Sequence, residues 1–597
     1  MVLKKIIIWT LVLVFVVSAM PTKCQAQYLG EVNAEDILQQ IKNGDDIYLE
    51  NTQIYGELDL TELKNVESRI TIRDSIFENN IYFSNTNFTK SLDFKKTYFI
   101  GKSNFDGIIV NQGANFWKAN FSGDTNFNNA IFSNSASFEY VRFDGNASFM
   151  DTSFNKVYFN DANFNGEADF RRIRISNSAN FSKANFDGKA MFWDSNFNSS
   201  VKFKGVNFNN YASFSGVDFY DNAYFDNAKF GFRTNFADVN FYENAKFLNV
   251  IFNETSFMNA TFKNDAKFSN TIFYGNADFN ETEFSDSSFM DATFYKNVDF
   301  MWGKFNEDAD FSNATFYGNA NFERRIFTKY SDFQEANFSS NADFTRTTFN
   351  DSVNFGSVNF SGDTLFSHTR FDENLYFGTS KFAKHVFFDN IEFNKITVRW
   401  DSLKDALVYD ELFYVQLIKN FNDNGQFEEA DDANYQYRRQ RQKEEFSLIS
   451  GFSLSSWFSF VSWAEDAFMW IICGYGLKPF HPLFVGVMIV LFFSCTSYKT
   501  QNNLFWDLNE RKSDKLNRII SYFSRFTQKI NKITPACLKI FVPSWCSFYV
   551  SFVTFTTLGT IRAKNGRDRL AVMIEGLLGW LILTLFIVTL ANVMIRP

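Results

Sequence analysis

Phenylalanine recurs along most of the chain at alternating steps of five and six residues, and this spacing constrains the fold more than any other feature. A helix needs apolar residues at steps of three and four, and a strand needs them at steps of two. Steps of five and six instead fit a coil whose short sides each contribute one large inward side chain before turning. One run in this register is Phe181, Phe186, Phe192, Phe197, Phe203, Phe208, Phe214, Phe219, Phe225 and Phe230.

The residues around each phenylalanine complete an eleven-residue unit that reads Asn-Ala-x-Phe-x-x-x-x-Phe. The residue two before Phe is small, as at Ala168, which suits a second inward position beside a ring. Asn, Asp, Ser and Gly fill the remaining positions and are typical of turns. Val110 and Ile175 take a Phe slot, and consecutive five-residue steps occur from Phe149 to Phe164 and from Phe252 to Phe262.

Short motifs within this unit resemble the pentapeptide-repeat family, whose consensus is A-[D/N]-L-x-x with Leu or Phe at the centre. They are Ala162-Asn163-Phe164, Ala168-Asp169-Phe170, Ala277-Asp278-Phe279 and Ala342-Asp343-Phe344. The resemblance implies a mainly β fold, a right-handed quadrilateral β-helix over residues 75–396. The alternation of five and six departs from strict fives and predicts about 22 residues per coil. We therefore expect about fourteen coils and a rod roughly 65–70 Å long.

Composition limits the functions that this rod can have. The net charge is −9 with acids spread along the chain, whereas a nucleic-acid partner needs clustered Lys and Arg. None of the 5 Cys lies between Tyr28 and Trp470, and the 3 His are too scattered for a zinc site. No pair of acids recurs as a catalytic constellation would. We predict no enzyme activity, no metal site, no cofactor and no nucleic-acid partner, and a rod that binds an unidentified surface partner.

The chain begins with a short basic segment and an apolar run. Lys4 and Lys5 precede the apolar residues Ile6 to Met20, and Cys24-Gln25-Ala26 has the small-x-small form of a cleavage site. An apolar run of about fifteen residues is short for a membrane span but typical of a secretory signal. We expect a signal peptide at residues 1–26 that directs export of the adjoining solenoid region. An uncleaved anchor is the alternative, and it also puts the next residues outside.

Beyond Ile396 the pattern changes from coil spacing to helical spacing and then to apolar runs. Arg438, Arg439, Arg441 and Lys443 form a basic cluster that we interpret as a solvated helix end. The predicted organisation is a signal peptide (1–26), an N-terminal cap (27–74), the pentapeptide-repeat β-helix (75–396), a helical hairpin (397–450), an amphipathic pre-membrane helix (451–478), a first transmembrane helix (479–498), a basic connector with an amphipathic helix (499–543), a pore helix with a filter-like loop (544–562) and a second transmembrane helix (570–595).

The segment between the two predicted spans ends in Thr-Thr-Leu-Gly. Backbone carbonyls of such a loop can replace the hydration shell of an ion, and Gly permits the backbone angles that aim them inward. The segment resembles the two-transmembrane potassium-channel pore domain, whose filter reads T-x-T-T-V-G-Y-G-D. The matching positions are Thr554, Thr556, Thr557 and Gly559, with Leu558 in place of Val. The resemblance implies a homotetramer and a pathway for a monovalent cation past Thr556, Thr557, Leu558, Gly559 and Thr560.

The filter-like loop also departs from the family pattern. Thr560, Ile561 and Arg562 stand where the family has Tyr, Gly and Asp. Potassium passage, a less selective cation path and a non-conducting segment all stay open. Gly579 is a candidate inner-helix hinge, with a helix packing contact as its alternative. Glu575 either faces the pore vestibule or lies at the membrane interface.

Topology depends on the basic connector between the two spans. An exported rod makes the first span run inward, so that the pore loop enters from the cytoplasm. The connector favours this orientation because its cationic residues give a positive-inside signal: Arg511, Lys512, Lys515, Arg518, Arg525, Lys529, Lys532 and Lys539. The usual potassium-channel orientation would need residues 452–475 to span as well, despite Glu465 and Asp466.

Two functions are consistent with this organisation. The first is a multi-pass ion-channel-like protein of the cell membrane, in contact with lipid and carrying an extracytoplasmic rod. The second is a membrane-anchored structural or binding protein of the cell surface, whose pore-like segment does not conduct. A third interpretation, a DNA mimic like the cytoplasmic pentapeptide-repeat proteins that inhibit topoisomerases, is opposed by the signal segment and the spans.

Overall fold

The structure, a computed structural model, describes residues 30–447, 454–478, 480–496, 545–557 and 566–594. These residues form two compact units that divide between Phe413 and Tyr414. The predicted signal peptide and the predicted basic connector lie outside the described residues.

The first unit is a parallel β-solenoid of about 17 turns. Most of its strands are two residues long, such as Asn163–Phe164 and Ala168–Asp169, and each pairs in parallel with a strand one coil away. These short strands recur from Leu58–Asp59 to Val386–Phe387. The longer strands are Gly30–Asn33, Ile47–Glu50, Thr52–Tyr55, Ile70–Arg73, Ile131–Ser137, Ser153–Tyr158, Lys229–Asn235, Ile251–Ser256, Arg370–Gly378 and Glu392–Val398.

The pairing register of the strands follows the sequence period. Phe99 lies opposite Phe121, and Phe121 lies opposite Phe143, at the predicted coil length of 22 residues. Phe143 then lies opposite Phe164, one residue sooner, because the consecutive five-residue steps shorten that coil to 21. The columns of phenylalanine continue through this shorter coil, because the residue is lost at a register shift between Phe132 and Ser135, where strand Ile131–Ser137 pairs with the shorter strand Ser153–Tyr158.

Phenylalanine rings fill the interior of the solenoid. The rings of Phe192 and Phe214 stack with centroids 4.9 Å apart, and Phe203 meets Phe214 edge-on at 5.4 Å. Stacking within a column and edge-to-face contact between columns are the arrangements that ring quadrupoles favour. Val110 and Ile175 are also fully buried, which confirms that both take inward Phe slots.

A left-handed backbone residue follows every second phenylalanine along most of the solenoid, two positions later. Examples are Lys118, Asp151 and Asn313, with φ between 56° and 58°. The next N–H closes the turn, as where Ala119 donates to the carbonyl of Phe116 at 2.9 Å. This hydrogen bond offsets part of the strain of the left-handed conformation. The predicted turn-formers occupy many of these positions, but Lys, Arg and Trp occupy others, so position in the coil decides the conformation there.

The solenoid begins earlier than the predicted boundary at residue 75. Gly30–Asn33 already pairs with Thr52–Tyr55, and Ile54 lies opposite Phe77. The predicted cap of residues 27–74 therefore contains solenoid coils, and about 17 turns replace the expected fourteen. Phenylalanine spacing missed these coils because aliphatic side chains such as Ile54 fill their inward slots.

Both ends of the solenoid are covered within the first unit. Helix α1 (Ala34–Lys42) follows the first strand and buries Ile37 and Ile41. At the other end the ring of Phe413 stacks on Phe388 with centroids 4.4 Å apart. These contacts cover apolar side chains of both end coils.

The helical pattern after the solenoid is interrupted. Its three-four spacing predicts one helix from Leu403 onwards, but the structure has a short helix α2 (Trp400–Leu403) and a separate helix α3 (Glu411–Asp423). Between them, Leu407 forms a parallel bridge to Val386 of the solenoid. The edge of the solenoid therefore pairs with this segment through one bridge, which overrides its helical periodicity.

Arg325 is a fully buried cation inside the solenoid. Arg325 occupies the inward position that Thr347 occupies one coil later. Gly303, one coil earlier, provides the space for the guanidinium, since a Cβ at Gly303 would lie 2.7 Å from Arg325 Nη1. Nη1 donates to the carbonyl of Phe300 at 3.2 Å and to that of Trp302. Nε and Nη2 have no partner among the described residues. Burial lowers the pKa of Arg325 to about 9.

The second unit is helical. Gly425, with φ 73°, lies between α3 and the next helix, and Tyr414 contacts Tyr437 across them with ring centroids 5.9 Å apart. The later helices are α4 (Phe427–Ser447), α5 (Leu454–Cys473), α6 (Phe480–Thr496), α7 (Trp545–Thr557) and α8 (Gly566–Met594), with a 3-10 turn at Gly474–Gly476.

One segment of the described chain, Leu570–Ala591 within α8, is long and apolar enough to cross a membrane. The predicted first span corresponds to α6, whose apolar part, Phe480–Ser494, is shorter than a full crossing. The structure therefore supports one membrane-spanning helix by length and composition.

Candidate functional site

Helices α6, α7 and α8 pack around a small apolar cluster. Val490 of α6, Phe555 of α7 and Ile582 of α8 are its buried members, together with Ile472 of α5. Helix α7 has 13 residues and contacts both longer helices. At 1.5 Å per residue it is about 20 Å long, too short to cross a hydrocarbon core of about 30 Å.

Gly579 marks the closest approach between α7 and α8. A Cβ at Gly579 would lie 1.9 Å from the carbonyl oxygen of Phe555, so only glycine fits against the backbone of α7 at this point. On α6, a Cβ at Gly486 would lie 3.1 Å from the ring of Phe555. The geometry gives Gly579 a packing contact, and its role as a hinge stays a prediction.

A buried polar contact joins all three helices. Glu575 of α8 is 4% exposed and contacts the hydroxyl of Ser551 on α7. The same hydroxyl lies 3.0 Å from the carbonyl oxygen of Val490 on α6. Sequence reasoning placed Glu575 at a pore vestibule or at the interface, whereas the structure places it inside the helix unit. Ser551 was missed because nothing in its local sequence distinguishes it from the other hydroxyl residues of α7.

The filter-like residues are described only in part. The Thr556 hydroxyl is 2.9 Å from the carbonyl oxygen of Phe552 in the preceding turn, and Thr557 is the last residue of α7. Leu558, Gly559 and Thr560 lie outside the described residues. Thr554 is buried, and its hydroxyl has no partner among the described residues. The ion pathway through these residues stays a prediction.

A family model described as "Pentapeptide repeats (9 copies)" matches residues 116–162, 159–207, 203–251 and 257–301. All four matches fall within the β-solenoid. This part of the solenoid is similar to pentapeptide repeats. Neither the comparison with curated proteins nor the comparison with solved structures gave a match.

The surface of the solenoid carries ladders of like residues. The rings of Tyr274, Tyr295 and Tyr317 stack with centroids 5.1 Å apart in successive coils. Because the Tyr rings cover one another's faces, the ladder presents ring edges to solvent.

An exposed pair of possible metal ligands also lies on this surface. His385 lies 3.2 Å from Asp363, and both side chains are exposed. Within the described parts of the chain, His, Cys, Asp and Glu form no group of three that could hold a metal ion.

The basic cluster of α4 has partners that its sequence did not reveal. The guanidinium carbon of Arg439 lies 3.7 Å from the ring centroid of Trp470, and that of Arg438 lies 5.3 Å from the ring of Tyr475. Both residues lie in the middle of α4 and not at its end, and Arg439 is half-buried against its ring, whereas Arg438 stays exposed to solvent. The signal was missed because the aromatic partners lie more than thirty positions away on α5 and in the turn after it.

Proposed function

We propose that the protein is a membrane ion-channel-like protein in which a pentapeptide-repeat solenoid is attached to a tetrameric cation pore. The observation that carries this proposal is the position of α7, a 13-residue helix packed between α6 and α8 and followed directly by Leu558 and Gly559. A helix that ends inside a bilayer leaves unpaired backbone at membrane depth. Such backbone is tolerated where it lines a water-filled cavity.

The proposal makes the protein multi-pass, with the first span at residues 479–498, which include α6, and with α8 in the second. The solenoid then lies on the extracytoplasmic side, in accordance with the signal-like first 26 residues and the basic connector. We further propose that the solenoid is right-handed and four-sided, as the family resemblance implies. Its role is that of spacer, sensor or binding element, with no catalytic activity, cofactor or nucleic-acid partner.

A second candidate is a membrane-anchored surface protein whose pore-like segment does not conduct. The observation that favours it is the substitution at the mouth of the loop, where Thr560, Ile561 and Arg562 replace the Tyr, Gly and Asp of the channel family. Under this candidate, α7 is a packing element that is held by the Gly579 contact and by Ser551.

The test is cation flux through the full-length protein reconstituted in liposomes under potassium and sodium gradients. The channel proposal expects a cation current that Gly559→Val abolishes, because a β-branched residue excludes the backbone angles that glycine permits. Thr584→Val is the matched control, since the exposed Thr584 hydroxyl bonds only the Trp580 carbonyl of its own helix. This variant is expected to conduct like the wild type.

The two candidates also differ in assembly and in water access. The channel proposal expects a tetramer in detergent and rapid labelling, by water-soluble thiol reagents, of cysteines introduced at Thr557 and Gly559. A monomer without current and without labelling would exclude the channel and leave the anchored surface protein.

A further inference from the structure

A cluster of cationic and aromatic side chains lies where α4 meets α5 and the turn after α5. Arg439 stacks on Trp470 at 3.7 Å, and the indole N–H of Trp470 donates to the hydroxyl of Tyr435 at 2.8 Å. Arg438 lies over Tyr475 at 5.3 Å. Stacking on a ring holds a planar guanidinium in place and leaves N–H donors on its edge for an anion, beyond the one that Arg439 Nη1 donates to Gln442.

An apolar groove of about 840 Å³ opens beside this cluster. It is lined mainly by α5 and α6, and Trp470 belongs to both the groove and the cationic cluster. Two of the α6 rings are strongly exposed along it, Phe484 at 68% and Phe492 at 63%. The volume lies within the range of pockets that hold small molecules, which is about 300–1,000 Å³.

The length of the groove identifies the kind of apolar ligand that fits. Its lining on α6 runs from His481 to Phe493, which at 1.5 Å per residue is about 18 Å. One leaflet of the hydrocarbon core is about 15 Å thick. An extended acyl chain therefore matches the groove from end to end, with its polar end at His481 and Trp470.

The charges at the polar end of the groove indicate which kind of lipid headgroup fits there. Lys478 is paired with Asp432 at 2.8 Å, so the cationic character of the cluster comes mainly from Arg438 and Arg439. Arginine recognises phosphate oxygens through parallel N–H donors, and cations at a membrane surface favour anionic lipids. A zwitterionic headgroup would bring its own cation and lose this preference.

We infer that α4, α5 and α6 form a binding site for one anionic phospholipid. Its phosphate lies at Arg438 and Arg439, and one acyl chain lies in the groove between Trp470 and Phe492. This inference rests on the proposed membrane location and adds to it a lipid class and a place. The site would tie helix α4 to the lipid composition of the membrane.

The test is native mass spectrometry of the full-length protein released from nanodiscs that contain phosphatidylcholine and phosphatidylglycerol. The wild type is expected to retain phosphatidylglycerol in preference to phosphatidylcholine. Retention in the double variant R438Q/R439Q should fall about tenfold. The matched control is Arg441→Gln, which removes the same charge from the same helix but pairs with Glu445 at 3.2 Å, outside the cluster. It is expected to retain lipid like the wild type.

A second variant tests the groove and keeps the inference falsifiable if the arginine variants fold poorly. Met488→Trp fills the groove while leaving the arginines in place, and lipid retention should also fall. Equal retention of both lipids by the wild type, or equal loss in R441Q, would overturn the inference. Intermolecular cross-linking of a cysteine placed at Phe484, with no lipid retained, would show that a second copy of the chain occupies the groove instead.

Flotation of the wild type with liposomes in alkaline carbonate separates this inference from the proposal on which it rests. Failure to float contradicts the membrane location itself. Flotation without a preference for phosphatidylglycerol contradicts the lipid site alone.

Discussion

The solenoid and the helical unit are both rich in aromatic residues, but they use them in different ways. In the solenoid one contact repeats in every coil, as where Phe192 stacks on Phe214 and Phe214 stacks on Phe236. In the helical unit each contact occurs once, as between Gly579 and the backbone of Phe555. A repeated contact survives local exceptions such as Val110, whereas a unique contact has no copy to replace it. Periodicity therefore makes a fold both recognisable from its sequence and tolerant of local substitutions.

Buried polar groups show the same contrast. In the solenoid, Thr347 donates its hydroxyl to the carbonyl of Phe322 at 2.7 Å, and other coils repeat this bond. Arg325 breaks that pattern with two unpaired nitrogens. In the helical unit the contact of Ser551 with Glu575 and Val490 occurs once and joins three helices. Three substitutions sharpen this comparison.

The largest effect is expected from Phe214→Ala. Phe214 is fully buried between Phe192 and Phe236, with ring centroids 4.9 and 4.7 Å away. Removal of the ring leaves a cavity in a rigid column and should cost about 3–5 kcal/mol of unfolding free energy. The measurement is urea unfolding of the full chain, followed by the circular dichroism of the β-structure. Phe232→Ala, at a side chain that is 56% exposed, is the control, and equal losses in both variants would contradict column packing.

Arg325→Thr is expected to stabilise the solenoid by about 1–4 kcal/mol, because it removes a buried cation and supplies a hydroxyl that can bond the carbonyl of Phe300. Between pH 9 and its unfolded pKa, Arg325 binds fewer protons in the folded chain than in the unfolded chain, so wild-type stability rises with pH there. The gain from R325T should thus be constant from pH 6 to about 8 and shrink above about 9.

Urea unfolding at several pH values measures this gain. Arg174→Thr is the control, because Arg174 is exposed on a strand at a position where Thr occurs in other coils, as at Thr348. Its effect should stay within about 0.5 kcal/mol. A loss of stability in R325T would mean that the buried guanidinium holds its coil together.

Gly579→Ala tests the helical side of the comparison. The added Cβ would lie 1.9 Å from the carbonyl oxygen of Phe555, and backbone cannot move aside as a flexible side chain can. Helices α7 and α8 should separate at a cost on the order of 1–3 kcal/mol. The measurement is thermal melting of the detergent-purified protein, followed by helical circular dichroism. Thr584→Ala is the exposed control on α8, and a wild-type melting temperature in G579A would refute the close packing of α7 on α8.

The sequence predicted the solenoid well and the helical unit less well, for a physical reason. In the solenoid, contacting residues are separated by a nearly constant number of positions in the sequence. This holds for the columns of Phe, for the inward positions of Val110 and Ile175 and for the 21-residue coil at Phe164. The coils before residue 75 were not predicted, because at Ile54 an aliphatic side chain occupies the inward position that Phe occupies elsewhere. The interruption of the helix before α3 was not predicted, because it depends on the bridge between Leu407 and Val386 of the solenoid.

The sequence by itself determined the coil period, the interior of the solenoid and the presence of apolar segments near the C-terminus. Only the tertiary structure decided that Glu575 contacts Ser551 and that the backbone of Phe555 lies against Gly579. The same is true of the stacking of Arg439 on Trp470. In the solenoid, a residue and its neighbour one coil away are linked by the period of the sequence. In the helical unit, contacting residues meet only after separate helices have packed, and no local pattern records which of them will meet.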